Sequence, residues 1–239
     1  MNRINKKLIT VASTCLLAAG SAHADVSSTV NLTSDYTFNG VSQTDSDPAL
    51  QASLDYAGDG GFYLGTWASN VDFGSSDDTN IEWDFYVGNY WQLNEQIGLD
   101  AGVAYYTYHG DDGSSDYQYG EAYTKFGYNS SMGDTELNFW YAWDYFGTGA
   151  GHYIMMAAHT FTVSEGHNIR LSIDRSTSDD VNKWAWGNNF DDKSYNHYRI
   201  EYTTSFSGFD FNLAAEDTSM DWDTSDSRVV FSVSRTFGF

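Results

Sequence analysis

From Val26 to Phe239 the chain is built of short segments in which apolar and polar side chains alternate every second residue. That period belongs to a strand with one apolar face, since a helix would repeat nearer every 3.6 residues. In the first segment Val26, Ser28, Val30, Leu32, Ser34, Tyr36 and Phe38 share one face, and Ser27 through Asn39 at odd numbers share the other. The pattern is clearest where Ile81, Trp83, Phe85, Val87, Trp91 and Leu93 alternate with Glu82, Asp84, Tyr86, Gly88 and Gln92. It returns where Leu137, Phe139, Tyr141, Trp143 and Tyr145 oppose Glu136, Asn138 and Asp144, and again in Val229, Phe231, Val233, Phe237 and Phe239. Facing is ambiguous over Tyr63–Ser69, aromatic on both parities, and over Tyr153–Val163, where His159 shares a parity with Met155 and Phe161.

Between the segments the connections alternate in length. Tight turns fall at 58–61, 94–96, 130–134, 164–166 and 206–208, and longer loops at 40–47, 71–80, 109–116, 147–152, 176–193 and 217–227. Short turns on one side and long loops on the other describe an all-β, transmembrane, antiparallel up-and-down barrel of about 12 strands. A soluble sandwich would have to bury both apolar faces, and Trp83, Trp91, Tyr128 and Trp143 all point the wrong way for that.

The N-terminus supplies an export signal. Arg3, Lys6 and Lys7 precede an apolar stretch of about a dozen residues, Leu8 to Ala19, and Ala22-His23-Ala24 gives a small-x-small cleavage pattern before Asp25. Residues 1–24 are therefore expected to be a signal peptide and 25–239 a single barrel domain, placed in the bacterial outer membrane after export through the periplasm. The terminal strand, ending on Phe237 and Phe239, is the expected signal to the barrel-assembly machinery. Arg235 falls on the lipid parity, close enough to the chain end to reach the interface with its head group.

Removing the three leader cations leaves eight basic residues against 33 acidic ones, a net charge of −25 with histidine neutral. A surface so acidic repels phosphate backbones, which argues against nucleic acid as a partner. The one cysteine, Cys15, lies in the leader, so the remainder has no thiol nucleophile, disulfide or thiolate ligand. No cofactor or metal site is expected, and the histidines at 109, 152, 159, 167 and 197 sit outside any Gly-x-Ser-x-Gly or His-Glu-x-x-His pattern, so no enzymatic activity is expected either. Asp221-Trp222-Asp223 begins like a calcium loop but lacks the glycine and glutamate that complete one. The remaining expected partners are outer-membrane lipid and lipopolysaccharide.

The inward parity collects Asp35, Asn39, Asp55, Glu82, Asp84, Asp100, Glu121, Glu136, Asp144, Asp174, Glu201, Asp210 and Glu216 against Lys125, Arg170 and Arg199, with Arg175 near the rim. Carboxylate-lined passages favour cations over anions. The expectation is a porin-like passive channel for small neutral or cationic hydrophilic solutes. The alternative is a non-conducting structural or surface-binding barrel, in which these charges pair and fill the interior.

The stretch Leu32-Thr-Ser-Asp-Tyr-Thr-Phe-Asn-Gly-Val-Ser-Gln-Thr-Asp-Ser-Asp-Pro-Ala-Leu50, with Tyr63-Leu-Gly-Thr-Trp-Ala-Ser-Asn-Val-Asp-Phe73 and Ser234-Arg-Thr-Phe237, resembles the TorF porin family. The resemblance implies an outer-membrane barrel; some members are linked by name to trimethylamine N-oxide respiration. The family pattern often carries arginine where Asn39 stands, so the resemblance implies that a cation is missing at that inward position.

Overall fold

The computed structural model describes residues 25–75 and 77–239. The proposed leader, with Ala22 and Ala24, lies outside the described residues, and Asp25 opens the first strand. The strands are β1 (Asp25–Thr33), β2 (Thr37–Phe38), β3 (Val41–Ser42), β4 (Ala49–Ala57), β5 (Phe62–Asn70), β6 (Ile81–Gln92) and β7 (Ile97–His109). They continue with β8 (Tyr119–Ser130), β9 (Gly133–Ala142), β10 (His152–Ser164), β11 (His167–Ser178), β12 (Ser194–Phe206), β13 (Phe209–Thr218) and β14 (Arg228–Gly238).

Twelve of them, β1 and β4 to β14, form one closed antiparallel barrel in which chain neighbours are sheet neighbours. Closure is made by β1, whose Asn31 faces Gln51 of β4 on one side and Ser234 of β14 on the other. A closed ladder leaves no strand edge with unpaired amides and carbonyls. The barrel strands run from nine residues in β1 to 13 in β7, near the length that about 9–11 tilted residues give to a membrane crossing. None of the described helical turns is long and apolar enough to cross a membrane.

The alternation read from the sequence becomes a two-sided wall. Leu50, Leu54, Trp83, Phe85, Trp91, Leu137, Trp143 and Phe231 are all exposed on the outside, and Glu82, Asp84, Glu136, Asp174 and Glu201 are buried within. Soluble monomers rarely expose contiguous apolar patches beyond roughly a few hundred Å², whereas here apolar side chains face outward from strand after strand. Arg235 stays on this face and lies over the rings of Phe209 and Phe237, at 5.0 and 5.2 Å.

The two ambiguous segments are resolved by register. Tyr63 is buried inside while Leu64 is exposed outside; Ile154 and Ala158 are buried inside while Met155 and Phe161 are exposed. His159 remains outside, its Nδ1 2.9 Å from Thr135 Oγ1 and its ring 4.3 Å from that of Phe161.

Inside β5–β8, strand glycines make room for tyrosine rings lying flat on the wall. A Cβ at Gly88 would stand 2.3 Å from Tyr63 Oη, and one at Gly102 would stand 2.4 Å from Tyr123 Oη. Glycine in a strand interior usually marks such a close approach.

Five facings differ from the alternation. Strand β1 ends at Thr33 and β9 at Ala142, so Tyr36, Phe38 and Tyr145 are not on the lipid face. Tyr145 is buried, and Phe38 packs beside it in an aromatic cluster. Asp144 is likewise not a wall residue: it sits in the turn after β9 and accepts a 2.6 Å hydrogen bond from the Gly149 amide. Asn39 lies at the tip between β2 and β3, with φ 48°, rather than in the first barrel strand. Parity has no meaning once the chain leaves the ladder.

Candidate functional site: the barrel interior and its outer mouth

The inward side chains divide into a paired wall and an acidic wall. On the paired wall, Arg170 on β11 reaches Glu136 on β9 with Nε–Oε1 and Nη2–Oε2 both at 3.3 Å. Next to it runs a continuous network on β11–β13. His197 places Nδ1 2.7 Å from Asp174 and Nε2 3.4 Å from Glu216, and Arg199 bridges Glu216 and Glu201. The register explains it, because Asp174 faces His197 and Arg199 faces Glu216 across neighbouring strands. At the outer edge Arg228 of β14 donates to Asp35 over 2.6 Å.

The acidic wall is on β6–β8. Glu82 accepts from Tyr108 at 3.1 Å, and Glu121 accepts from Tyr106 at 2.9 Å. Asp84 is buried beside them. Lys125, four residues along β8, acts on Glu121 electrostatically. Tyr36 also hydrogen-bonds Glu82, and among the described residues Asp84 Oδ1 and Glu121 Oε2 have no hydrogen-bond partner within the protein. Nearer the short turns, Tyr63 Oη donates to Asp100 at 2.6 Å and shares a 2.7 Å bond with Tyr123 Oη. Lys125 faces Asp100 across the β7–β8 ladder, its ammonium 4.7 Å from the Tyr123 ring and 5.9 Å from that of Trp140. Asp55 accepts from Ser53 at 2.7 Å and from Tyr86, and Asp210 accepts from Ser205 at 2.5 Å.

The loop end is closed by side chains. Tyr108, Tyr119, Tyr145, Trp186, Tyr195 and Met220 form a buried cluster, and Phe38, Val41, Phe73, Phe146, Trp184 and Trp222 pack on it. These residues come from at least six separate connections and strand ends, so no local period announces them. Loop 71–80 is tied to the 110–118 loop by Tyr117, which donates to Asp77 at 2.5 Å. Burial raises the Asp77 carboxyl, but hydrogen bonds from Thr79 and Tyr117 outweigh it and hold the group below the usual aspartate range. The same bond to Asp77, with some burial, pushes the Tyr117 phenol up to about 12.

Of the inward residues read from the sequence, the structure brings Glu82, Asp84 and Glu121 together on one wall, and Glu136, Arg170, Asp174, Arg199, Glu201 and Glu216 on the other. Asp35 is inside but beyond the end of β1, Asn39 is inside but off the wall, and Asp144 is in a loop. Arg228 stands one residue before the clear alternation of the last strand, and His197 alternates with Tyr198 on the parity of Arg199 and Glu201. Parity places both inward. Among the described residues no group of His, Cys, Asp and Glu is arranged to hold a metal ion; Asp221 of the incomplete calcium-like loop instead accepts from the Asn188 amide at 2.8 Å.

A sequence model of the family described as "Bacterial protein of unknown function (Gcw_chp)" matches residues 17–238. The chain belongs to this family. No curated protein gives a match. Among solved structures, the KdgM porin shares 7% identity with a TM-score of 0.57, over 89% of this chain and 99% of that one. The NanC porin shares 9% identity with a TM-score of 0.57, over 90% and 98%. An outer membrane channel from Pseudomonas putida F1 shares 11% identity with a TM-score of 0.55, over 92% and 97%. At these identities the likeness is one of fold.

Proposed function

We propose that this barrel resides in the bacterial outer membrane and is a passive channel for small hydrophilic solutes, neutral or cationic. The observation that carries the reading is the acidic wall, where the buried carboxylates of Glu82, Asp84 and Glu121 face the interior and outnumber the nearby cation of Lys125. A carboxylate-lined passage stabilises a cation and repels an anion, with little screening where water is sparse. The apolar exterior and the solved porins of the same fold support the placement, as does the resemblance of residues 32–73 to the TorF family. In a membrane the C-terminal strand with Phe237 and Phe239 would be read by the assembly machinery, and lipid and lipopolysaccharide would surround the outer face.

A non-conducting barrel is the second reading, and the packed aromatic mouth favours it. Swelling of proteoliposomes separates the two. The channel reading expects entry of small neutral and cationic solutes and exclusion of an acidic sugar of equal size. Equal exclusion of all solutes would support the second reading.

A further inference from the structure

The connection between β1 and β4 does not stay outside the barrel. It folds back as the β2–β3 hairpin, pairing Thr37 with Ser42 and Phe38 with Val41. Its base is fixed by Asp35, which accepts from Ser42 at 2.6 Å and Thr44 at 3.1 Å as well as from Arg228. Its tip reaches the wall formed by β11 and β12. Asn39 donates to Ser176 over 3.5 Å, and Tyr195 donates to the Asn39 carbonyl over 3.2 Å. Gly40 lies so near that wall that a Cβ would stand 2.4 Å from Thr218 and 2.7 Å from His197. Phe38 and Val41 pack on the aromatic cluster, so the hairpin supports what fills the mouth.

Two paired residues per strand do not make a hairpin stable by itself. Its position therefore depends on the contacts at its base and tip, of which only the pair with Arg228 joins full charges. We infer that the β2–β3 hairpin is a gate across the outer mouth, latched by Asp35 and Arg228, and that solutes pass when it swings out. The inference rests on the channel reading proposed above. It also gives the packed mouth and the acidic wall roles in one molecule, as closed door and as filter.

The residues after the leader contain no cysteine, so introduced thiols report cleanly. In a planar bilayer, an N39C/S176C protein bridged by oxidation or by a short bis-maleimide should lose at least about tenfold of the wild-type open probability. Deleting residues 36–43 should raise it. Leaving Arg228 without its carboxylate in a D35N variant should shift the balance toward open by roughly tenfold or more. A bridged protein that conducts like wild type, or a deletion that changes nothing in a conducting barrel, overturns the gate. If neither wild type nor the deletion conducts, the channel reading fails and the gate falls with it. Single N39C should react slowly with a water-soluble maleimide and several-fold faster with D35N added; equal rates overturn the latch.

Discussion

Replacing Arg170 by methionine asks whether the paired wall behaves as protein interior or as the lining of a water-filled pore. Arg170 and Glu136 are both buried, and the fork of two 3.3 Å contacts is their shared bond. In a dry interior, removing one partner strands a carboxylate, at a cost of about 3–5 kcal/mol. In contact with bulk water the same pair is worth roughly 0–1 kcal/mol. The burial of both side chains points to the first regime, so R170M should lose about 3–5 kcal/mol. Adding E136Q should return most of it, because a neutral pair of similar volume carries no stranded charge. The assay is equilibrium unfolding in guanidinium in the presence of phospholipid vesicles, followed by tryptophan fluorescence, on wild type, both single variants and the double. A loss below about 1 kcal/mol for R170M would refute the dry wall and mean that water reaches the pair.

Three further outcomes are expected. Y63F removes the hydroxyl that serves Asp100 and Tyr123 and should cost about 1–3 kcal/mol in the same unfolding assay. The Asp77–Tyr117 tie should hold between two pH limits. Asp77 is lowered in the folded loop, so its contribution is present above the ordinary aspartate value and fades as pH falls through the folded one; Tyr117 is raised, so its contribution is lost as pH climbs through about 12. Carbon-13 tyrosine NMR reads the Tyr117 end, and titration of that resonance near the free phenol value would contradict the tie. Truncation after Thr236 removes Phe237 and Phe239 and should sharply reduce the folded fraction reaching the outer membrane, scored by the slower gel migration of boiled samples; undiminished assembly would remove the role given to those residues.

The barrel was legible because lipid and interior impose opposite demands on successive residues. Ile81–Gln92 could be assigned to faces without any partner in view, and the length alternation of turns and loops supplied the strand count. The same rule failed where the chain left the ladder. Tyr36, Phe38 and Tyr145 keep the apolar parity of the strands before them, yet turn inward, since a loop residue is placed by whatever it packs against. Trp184, Trp186, Met220 and Trp222 meet only through the closed barrel, a juxtaposition with no local period. The division of the inward charges into a paired and an acidic wall depends on register, which sets Asp174 against His197 and Arg199 against Glu216. In the structure Lys125 stands opposite Asp100.

The reversal potential of single open events in a potassium chloride gradient across a planar bilayer tests the acidic wall most directly. Glu82, Asp84 and Glu121, buried carboxylates that outnumber the nearby Lys125, require a potential displaced toward the potassium equilibrium value, and an E82Q/E121Q variant must move it toward zero. A wild-type potential on the chloride side, or one that the variant leaves unchanged, would contradict the account.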